Sequence, residues 1–553
     1  MSSLYYLGKK LQHFCSSIFL YLACLCGSTI FLISSLYKLI LYKVNKFCML
    51  LFYFIFISIF GFLILRTLKP RNNGDFTPRN LDLFFTSVSA VTVSSMSTVE
   101  MEVFSNSQLI LITFLMFLGG EVFISMVGLY LVRPKFKPWR KDSKIESVLS
   151  STTTSPRNSN FNVDDIELDI VVLPDSPKSN SENDGFQDDH VGSSLDNKTQ
   201  TDLLKYQSIK FLGFVTLVYL LVINILGISS ILVYLACVSS AKHVLRNKGL
   251  KTFTFAIFTT VSTFTSCGFV PTNENMMVFS NNSGLLLILI PQMLFGNTLY
   301  PTCLRLCIRL LGKLFSKKRE AKYLLKCSRE IRHLHLLPSH HSRLLMVTVF
   351  GFIMVQFILF CILEWNSSTA LNGLNSYQRF VGLLFQVVNA RHTGETIVDI
   401  STLAPAILLL FIVMMYLPPY TSFMPVKGEV DKPEELLQGR GEVAENVILS
   451  QLSYLFLFIL LICITERKRM KDDPLNFNVL NITLEVVSAY GNVGFSTGYS
   501  CDRMINRNPS CKNKWYGFVG KWNDESKIIL IIVMFFGRLK KFNMQGGKAW
   551  KLL

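Results

Sequence analysis

Four short stretches of this chain share a spacing of residue types that could coordinate a metal cation through backbone oxygens. In each stretch a valine lies seven positions before a serine or a glycine, and many of the residues between them are small or β-branched. Short side chains let several backbones approach one axis, and inward-facing carbonyl oxygens can replace the hydration shell of a cation. The local sequences are VSAVTVSS, VSTFTSCG, VVNARHTG and VSAYGNVG. The candidate ring positions at or near their ends are Ser95, Gly268, Gly394 and Gly494.

The same glycines could instead allow close packing of membrane helices. Packing motifs recur at helical spacing inside long helices, whereas these residues end half-length segments that are flanked by polar residues. A short helix before each turn would also point its C-terminal partial negative charge at the common axis, which stabilises a cation. We therefore interpret the four stretches as re-entrant loops that line one pore. The flanking residues whose backbone would contribute are Thr92, Val93, Ser94, Ser266, Cys267, His392, Thr393, Asn492 and Val493.

The elements that must position these loops are membrane-spanning helices. Half of the 553 residues are hydrophobic and 45 are Phe, which is too apolar for a soluble protein of this length. A helix needs about 20 mostly apolar residues to cross a bilayer. Eight runs qualify as core spans, the last of them short: Cys48 to Leu65, Gln108 to Val132, Phe211 to Val238, Gly284 to Leu311, Leu344 to Leu363, Thr402 to Leu417, Val447 to Thr465 and Lys527 to Phe536. The sequence predicts an all-α membrane protein.

The net charge of +18 could suggest a nucleic-acid partner. The basic residues, however, lie at the ends of apolar runs, which is the arrangement that orients a membrane protein with these ends in the cytoplasm. Such clusters follow the second, fourth and eighth spans, at residues 133–141, 305–319 and 538–548. The C-terminus is therefore predicted to be cytoplasmic, and no nucleic acid is expected as a partner.

The chain repeats one plan, in which a span, a polar outer connection, a half-length segment and a second span follow one another. Internal repetition decides the fold, and segments too short to cross should dip into the membrane and return. A Ser-, Asn- and Asp-rich segment with few aromatic residues cannot bury enough apolar surface to fold, so it is predicted to be a disordered linker. The divisions are an N-terminal extension at 1–45, repeat 1 at 46–133, the disordered cytoplasmic linker at 134–204, repeat 2 at 205–313, a basic cytoplasmic linker at 314–341, repeat 3 at 342–425, a cytoplasmic linker at 426–445, and repeat 4 with the C-terminus at 446–553. The extension favours an extra membrane anchor or an interfacial helix over a cleaved leader, because it lacks a clear cleavage site.

Five stretches of the chain resemble the Trk/Ktr/HKT superfamily of K⁺ and Na⁺ transporters, and within it the plant HKT transporters. They are SVSAVTVSSMSTVEMEVFSN, CGFVPTNEN, VNARHTGET, MMYLPPYT and SAYGNVGFSTGYSC. The resemblance implies four membrane-pore-membrane repeats with pseudo-fourfold symmetry around one central pore, in a plant plasma membrane, with a homodimer as in relatives. It also implies passive, Na⁺-selective transport in Na⁺ homeostasis and salt tolerance. In this family a Gly at the first filter position accompanies K⁺ permeation and a Ser accompanies Na⁺ selectivity, and here the residue is Ser95.

Other functions remain open on the sequence. Ser95 could be a neutral replacement, and coupled Na⁺ and K⁺ transport or K⁺ permeation could occur on the same fold. A non-conducting scaffold or sensor is a more distant alternative, since it has no need of four equivalent loops. No nucleotide-binding glycine loop and no nucleophile-base pair is evident, so neither an enzyme nor a cofactor is expected.

Further residues have candidate roles around the pore. By resemblance, Arg538 lies near the pore below the filter and acts as an electrostatic barrier or gate; the alternative is an interfacial Arg that snorkels from the membrane. His392 and Arg391 are expected to fix the third loop through hydrogen bonds. Acidic residues outside the filter either concentrate cations at the outer mouth or are solvated loop charges without a specific role. They are Glu100, Glu102, Glu274, Glu395 and Asp399.

Two outer connections carry candidate covalent modifications. Cys501 and Cys511 lie in a polar loop predicted to be extracellular, where an oxidised pair could form. Asn366 begins an Asn-Ser-Ser glycosylation sequon in another outer connection. Na⁺ is expected only as the transported ion, with no structural metal.

Overall fold

The computed structural model describes residues 46–71, 77–132, 189–331, 333–365, 371, 373–422, 451–505, 511, 513–514 and 516–543. Several predictions lie outside these residues. They are the N-terminal extension 1–45, most of the linker 134–204, the linker 426–445 and the sequon at Asn366.

The described helices follow the order of the four predicted repeats. The first repeat contains α1 Lys46–Thr67, α2 Asn80–Val91, α3 Asn106–Gly119 and α4 Glu121–Val132. The second contains α5 Asp189–Cys237, α6 Ser239–Asn247, α7 Thr252–Phe264, α8 Ser283–Gly296 and α9 Tyr300–Leu314, and the short helices α10 Lys318–Lys326 and α11 Ser328–Ile331 follow it. The third contains α12 Ser339–Glu364, α13 Ser376–His392 and α14 Pro405–Tyr416. The fourth contains α15 Gln451–Thr465, α16 Arg467–Asp472, α17 Val479–Gly491 and α18 Asp524–Asn543.

Long helices with apolar outer faces identify the membrane-spanning part. Three described helices, α1, α12 and the 201–237 part of α5, are long and apolar enough to cross a bilayer on their own. Phe52 and Phe56 of α1 are 68% and 70% exposed, and Ile362 of α12 is 72% exposed. Contiguous apolar surface of this kind has its natural partner in lipid. The all-α membrane fold is therefore confirmed.

The helices differ from the sequence prediction in three respects. Helix α5 begins at Asp189, inside the segment predicted to be a disordered linker. The second and fourth spans are bent pairs, with 56° between α3 and α4 and 82° between α8 and α9. The first bend occurs because Gly120 has an extended backbone at φ −60° and ψ 139°. Helix α18 also passes through Gly537 and Arg538 instead of stopping there.

The four half-length helices α2, α7, α13 and α17 have 12, 13, 17 and 13 residues, too few to cross a bilayer. In α2 the helix ends because Val93, two residues beyond Val91, has φ 50°, which no α-helix accommodates. The polar starts of two of them are capped by side chains: Asn375 forms a capping box with Gln378, and Asn478 accepts a hydrogen bond from the Asn481 amide. These are the re-entrant pore helices.

The four repeats pack in a closed cycle. The second helix of each repeat contacts the pore helix of the next, through the pairs α3 and α7, α8 and α13, α14 and α17, and finally α18 and α2. Within three of the repeats a glycine of the second helix also crosses the carbonyl oxygen at the end of its own pore helix. A methyl group added at Gly119 would lie 2.0 Å from the carbonyl oxygen of Val91. One added at Gly296 would lie 1.8 Å from that of Phe264, and one added at Gly537 would lie 2.0 Å from that of Tyr490. These crossings draw the pore helices and the second helices together around one centre.

Candidate functional site

The four candidate filter residues lie next to one another at the centre of the cycle. A methyl group added at Gly494 would lie 2.3 Å from Cβ of Ser95, and one added at Gly268 would lie 3.5 Å from Oγ of Ser95. On the other side, a methyl group at Gly268 would lie 1.4 Å from the Thr393 carbonyl oxygen, and one at Gly394 would lie 2.7 Å from the Gly494 carbonyl carbon. The neighbour relations therefore run around the ring in chain order, from the first loop to the fourth and back to the first.

All four ring residues have left-handed backbone conformations. The φ angles are 52° at Ser95, 89° at Gly268, 71° at Gly394 and 102° at Gly494. In three loops the residue two positions earlier also has a positive φ, namely Val93, Ser266 and Asn492. Positive φ is accessible to glycine at no steric cost but is strained by about 1–2 kcal/mol for other residues. This geometry recurs in loops with different side chains, so the backbone conformation is the feature that the four loops share.

Each loop is fixed to its own pore helix by a hydrogen bond from the backbone. The amides of Ser94, Cys267 and Val493, each one residue before a ring position, donate to carbonyl oxygens five residues earlier at 2.9, 2.9 and 3.0 Å. In the third loop the ring residue itself does this, because the Gly394 amide donates to Asn389 at 3.2 Å. The third loop is thus offset by one residue, consistent with α13 continuing to His392.

The fourth loop is bonded to the first beside Ser95. The side-chain amide of Asn492 donates to Oγ of Ser94 at 2.8 Å and to the carbonyl of Met534 at 3.2 Å. The Ser94 hydroxyl in turn lies 2.8 Å from Oγ1 of Thr92. All three polar side chains of this chain of hydrogen bonds are fully buried. Asn492 therefore positions the first loop from the fourth one, a role that the sequence pattern did not reveal.

His392 and Arg391 have different roles from each other. Nδ1 of His392 donates to the Val388 carbonyl at 2.6 Å, which leaves Nε2 of a neutral ring to accept from the Thr298 hydroxyl at 2.7 Å. These bonds fix the third loop, as expected. Arg391 instead donates through Nη2 to the carbonyl of Pro418 at 2.6 Å, so it holds the segment after α14.

Two cavities lie on opposite sides of the ring. One of about 400 Å³ is lined by Ser95, Gly268 and Gly494 and by residues that follow the ring positions, such as Thr396. The other, of about 590 Å³, is lined by residues that precede a ring position, such as Gly491, and by the ends of α14 and α18. We call them the outer and the inner cavity. The ring residues line the outer cavity and do not line the inner one.

The predicted outer-mouth acids do not line the outer cavity, whose lining residues are uncharged and include hydroxyl, amide and apolar side chains. Lys248 is salt-bridged to Glu102 at 2.9 Å and to Glu274 at 2.6 Å, while Glu100 accepts a hydrogen bond from Asn273 at 3.2 Å. Burial opposes the charge of Lys248, but its bonds to both carboxylates outweigh this, so the pKa of Lys248 lies above its ordinary value. These acids join the first two repeats.

The remaining two acids are also engaged by the protein. Asp399 accepts from the Ser401 amide at 3.0 Å and lies 3.7 Å from Arg503. The placement of Glu395 at the mouth is wrong, because this residue has no exposed surface and accepts a hydrogen bond from Thr263 at 2.6 Å. Its position directly after Gly394 suggested the mouth, but the chain turns inward behind the loops.

A second buried carboxylate, Glu485, was not predicted. It is fully buried in α17, and one of its oxygens accepts from the Ser496 hydroxyl at 2.5 Å and from the Thr497 amide at 3.0 Å. The bond from Thr497 holds the chain just beyond Gly494. The available signal was a glutamate that is the one charged residue of this half-length helix.

Arg538 is 1% exposed and therefore does not reach a membrane interface. Nη2 donates to the carbonyl of Gly119 at the bend between α3 and α4. The guanidinium carbon also lies 5.9 Å from the ring of Phe54 and 5.1 Å from that of Phe542. Arg538 thus connects the last helix to the bent helix of the first repeat.

In the outer connection of the fourth repeat, Cys501 and Cys511 form a disulfide with Cα atoms 5.9 Å apart. The Tyr499 amide and carbonyl pair with those of Lys514 in an antiparallel bridge at the base of this loop. The connection is therefore closed both covalently and by backbone hydrogen bonds.

Comparison with known proteins identifies the family. The TrkH family, described as a cation transport protein family, matches residues 187–423 and 440–544. The cation transporter HKT1;3 of Oryza sativa subsp. japonica is 46% identical over 514 residues, which are 93% of this chain and 92% of the rice protein. The chain belongs to the TrkH/HKT family. The sodium transporter HKT1 of Arabidopsis thaliana is 48% identical over 494 residues, 88% of this chain and 91% of that protein. As a TrkH/HKT member, the chain is a membrane-embedded cation transporter and not an enzyme.

Proposed function

We propose that this TrkH/HKT transporter passes Na⁺ in preference to K⁺ through the ring of Ser95, Gly268, Gly394 and Gly494. Transport is passive and channel-like, driven by the Na⁺ gradient and by the membrane potential, which contributes about 2.3 kcal/mol per charge per 100 mV. The transporter lies in the plasma membrane of a plant cell with its C-terminus in the cytoplasm, and its role is in Na⁺ homeostasis and salt tolerance. We further propose that the transporter works as a homodimer in the lipid bilayer.

The position of the Ser95 side chain carries this proposal. Its Cβ fills the space between the first and fourth loops, where a methyl group at Gly494 would lie only 2.3 Å away. Its hydroxyl has no hydrogen bond to any residue that the structure describes, and Ser95 lines the outer cavity. A hydroxymethyl group in one quadrant narrows or redirects the carbonyl ring. K⁺ is larger and needs a fuller set of carbonyl oxygens to replace its hydration, whereas Na⁺ can retain water.

The test is the reversal potential of Ser95→Gly currents in oocytes bathed in Na⁺ or in K⁺. We expect the variant to gain at least about tenfold in relative K⁺ permeability, because selectivity between two ions depends on differences of about 1.4 kcal/mol per tenfold. Each tenfold change moves the reversal potential by about 59 mV for a monovalent ion. If Ser95→Gly keeps the selectivity of the wild type, Ser95 does not determine selectivity at the filter.

Ser97→Ala is the matched control. Ser97 lines the same outer cavity, but its hydroxyl is already bonded to the Val99 carbonyl at 2.6 Å, and it lies outside the ring. This variant should keep the wild-type permeability ratio. An equal shift in both variants would mean that any serine of the cavity influences selectivity, and the specific role of Ser95 would be lost.

The alternative is coupled Na⁺ and K⁺ transport, or K⁺ permeation, on the same fold. The glycines at three of the four ring positions favour K⁺ permeation, because a ring of four glycines suits K⁺. Coupling predicts that K⁺ added to a Na⁺ bath increases Na⁺ influx, whereas a Na⁺ uniporter shows competition or no effect. A scaffold or sensor would carry no current in either bath.

A further inference from the structure

The inner cavity combines an unusual set of charges with a position on the ion path. It opens to solvent, and its space of about 40 Å³ for the centres of water-sized groups is enough for a small polar group. Tyr490 and Gly491, just before the fourth ring position, form one wall, and the segment after α14 forms another. Three basic side chains, Arg391, Lys540 and Lys541, line it together.

One carboxylate faces these three basic side chains, so the protein compensates their charge only in part. Glu121 is the acidic residue of the lining; one of its carboxylate oxygens lies 3.8 Å from Nδ1 of His335, and its charge also acts on Lys541. Lys540 donates to the Tyr490 hydroxyl and lies 5.5 Å from the ring of Tyr416, so it has neutral partners. The cavity therefore keeps an excess of positive charge beside the route of a cation.

Unused hydrogen-bond donors accompany this charge. Arg391 is 7% exposed, yet its Nε and Nη1 have no hydrogen-bond partner within the described residues, while Nη2 is bonded to Pro418. Lys541 is partly exposed and makes no side-chain hydrogen bond or ion pair within the described residues. The two unpaired nitrogens of Arg391 are buried, and buried charged donors without acceptors are costly, so an acceptor that the protein does not supply is expected beside them.

We propose that the inner cavity is a binding site for a phosphate group. Two free nitrogens of Arg391 and the side-chain nitrogen of Lys541 can donate hydrogen bonds to several acceptor atoms of one anionic group. A phosphate offers three acceptor oxygens with nearly two charges, and arginine and lysine are its usual ligands. The group belongs either to a soluble phosphate or to the headgroup of an anionic lipid. By neutralising the cavity, it lowers the repulsion that a cation meets after the ring.

Binding is measured by isothermal titration calorimetry, in which inorganic phosphate is titrated into purified full-length protein in detergent. This readout needs no ion transport, so its failure is distinct from a failure of the proposed selectivity. Lys541→Gln should weaken phosphate binding by about tenfold or more, since a hydrogen bond to a charged group contributes about 1.5–3 kcal/mol. Lys541→Arg keeps the charge and should retain binding, which separates a lost ligand from a misfolded protein. Lys313→Gln removes an exposed cation outside the cavity and is the matched control.

A second arm distinguishes the sources of the phosphate. The protein is reconstituted in phosphatidylcholine vesicles with and without phosphatidic acid, and its thermal stability is measured. Stabilisation of the wild type by phosphatidic acid, reduced in Lys541→Gln, with no binding of inorganic phosphate, would support the lipid headgroup. Binding of inorganic phosphate that weakens in Lys541→Gln would support a soluble ligand. No effect of either compound, or an equal effect in the wild type and Lys541→Gln, would overturn the proposal.

Discussion

Gly494→Ala should destabilise the protein, and the additional substitution Ser95→Gly should restore part of the lost stability. In Gly494→Ala the new methyl would lie 2.3 Å from Cβ and 2.9 Å from Oγ of Ser95, against a favourable carbon contact of about 3.5–4.0 Å. Overpacking of this kind costs about 1–3 kcal/mol, and the φ of +102° adds about 1–2 kcal/mol for an alanine. We therefore expect a loss of about 2–5 kcal/mol in stability.

In the Ser95→Gly background both side-chain contacts disappear. The nearest remaining atom is the Ser94 carbonyl oxygen at 3.1 Å, while the backbone strain of Gly494→Ala persists. The double variant should therefore recover about 1–3 kcal/mol, which is the coupling energy of two residues in contact. It should not recover fully.

Gly268→Ala is the control for this double-mutant cycle. Its methyl would lie 1.4 Å from the Thr393 carbonyl oxygen, a backbone atom of the third loop, and at an ordinary 3.5 Å from Oγ of Ser95. Ser95→Gly removes only the ordinary contact, so it should not rescue this variant.

The assay is the amount of monodisperse protein left after heating, together with surface abundance and Na⁺ current in oocytes. Equal rescue of Gly494→Ala and Gly268→Ala, or rescue of neither, would refute the order of the loops around the ring. If Gly268→Ala does not accumulate at all, its abundance should still not return when Ser95→Gly is added.

The remaining predictions concern the surroundings of the ring. Asp82→Asn should lower thermal stability by up to about 3–5 kcal/mol, because it leaves the buried ammonium group of Lys527 unpaired. Lys527→Met should lower it less, because Asp82 keeps Arg79, an exposed arginine, as a second partner. Heating of the purified variants measures both losses, and equal losses would contradict the prediction. Arg538→Gln should raise Na⁺ current at equal surface expression if the buried charge is a barrier, and an unchanged current would leave it only the contact with the helix bend. Replacing Cys501 and Cys511 by serine should cost about 3 kcal/mol of stability through the freed loop but leave the reversal potential unchanged, so a shifted potential would show that this connection shapes the filter.

The sequence pattern singled out four residues that lie next to one another in the structure because its signal is local. The valine and the ring residue of each loop are seven positions apart, and the four copies reinforce one another. The bends at Gly120 and Asn297 were missed because the spans were judged by their average hydropathy, although Gly-Gly-Glu at 119–121 and Gly-Asn-Thr at 296–298 interrupt the apolar runs there. Hydropathy reports whether a residue prefers lipid to water, not whether a helix is straight.

The roles of individual polar residues were harder to predict for a different reason. Glu395 is hydrogen-bonded to Thr263 and Asn492 to Ser94, and these partners are 132 and 398 residues apart in the chain. No local pattern encodes contacts at such separations, so position relative to the ring residue was an insufficient guide. Glu395 consequently looked like a mouth residue although it is buried behind the loops.

The four ring positions differ in how much side chain they can accept, and this gives the first position its special character. At Gly268 and Gly394 an added methyl would meet carbonyl oxygens of the next loop, at 1.4 and 2.3 Å. A backbone atom cannot move aside without displacing the oxygens that form the ring. Between the fourth and first loops, the corresponding space already holds the Ser95 side chain, and Gly494 faces Cβ and Oγ atoms before it meets a carbonyl. Chemistry can therefore vary between serine and glycine at position 95 while the backbone ring persists, whereas the same exchange at position 268 or 394 should destroy it.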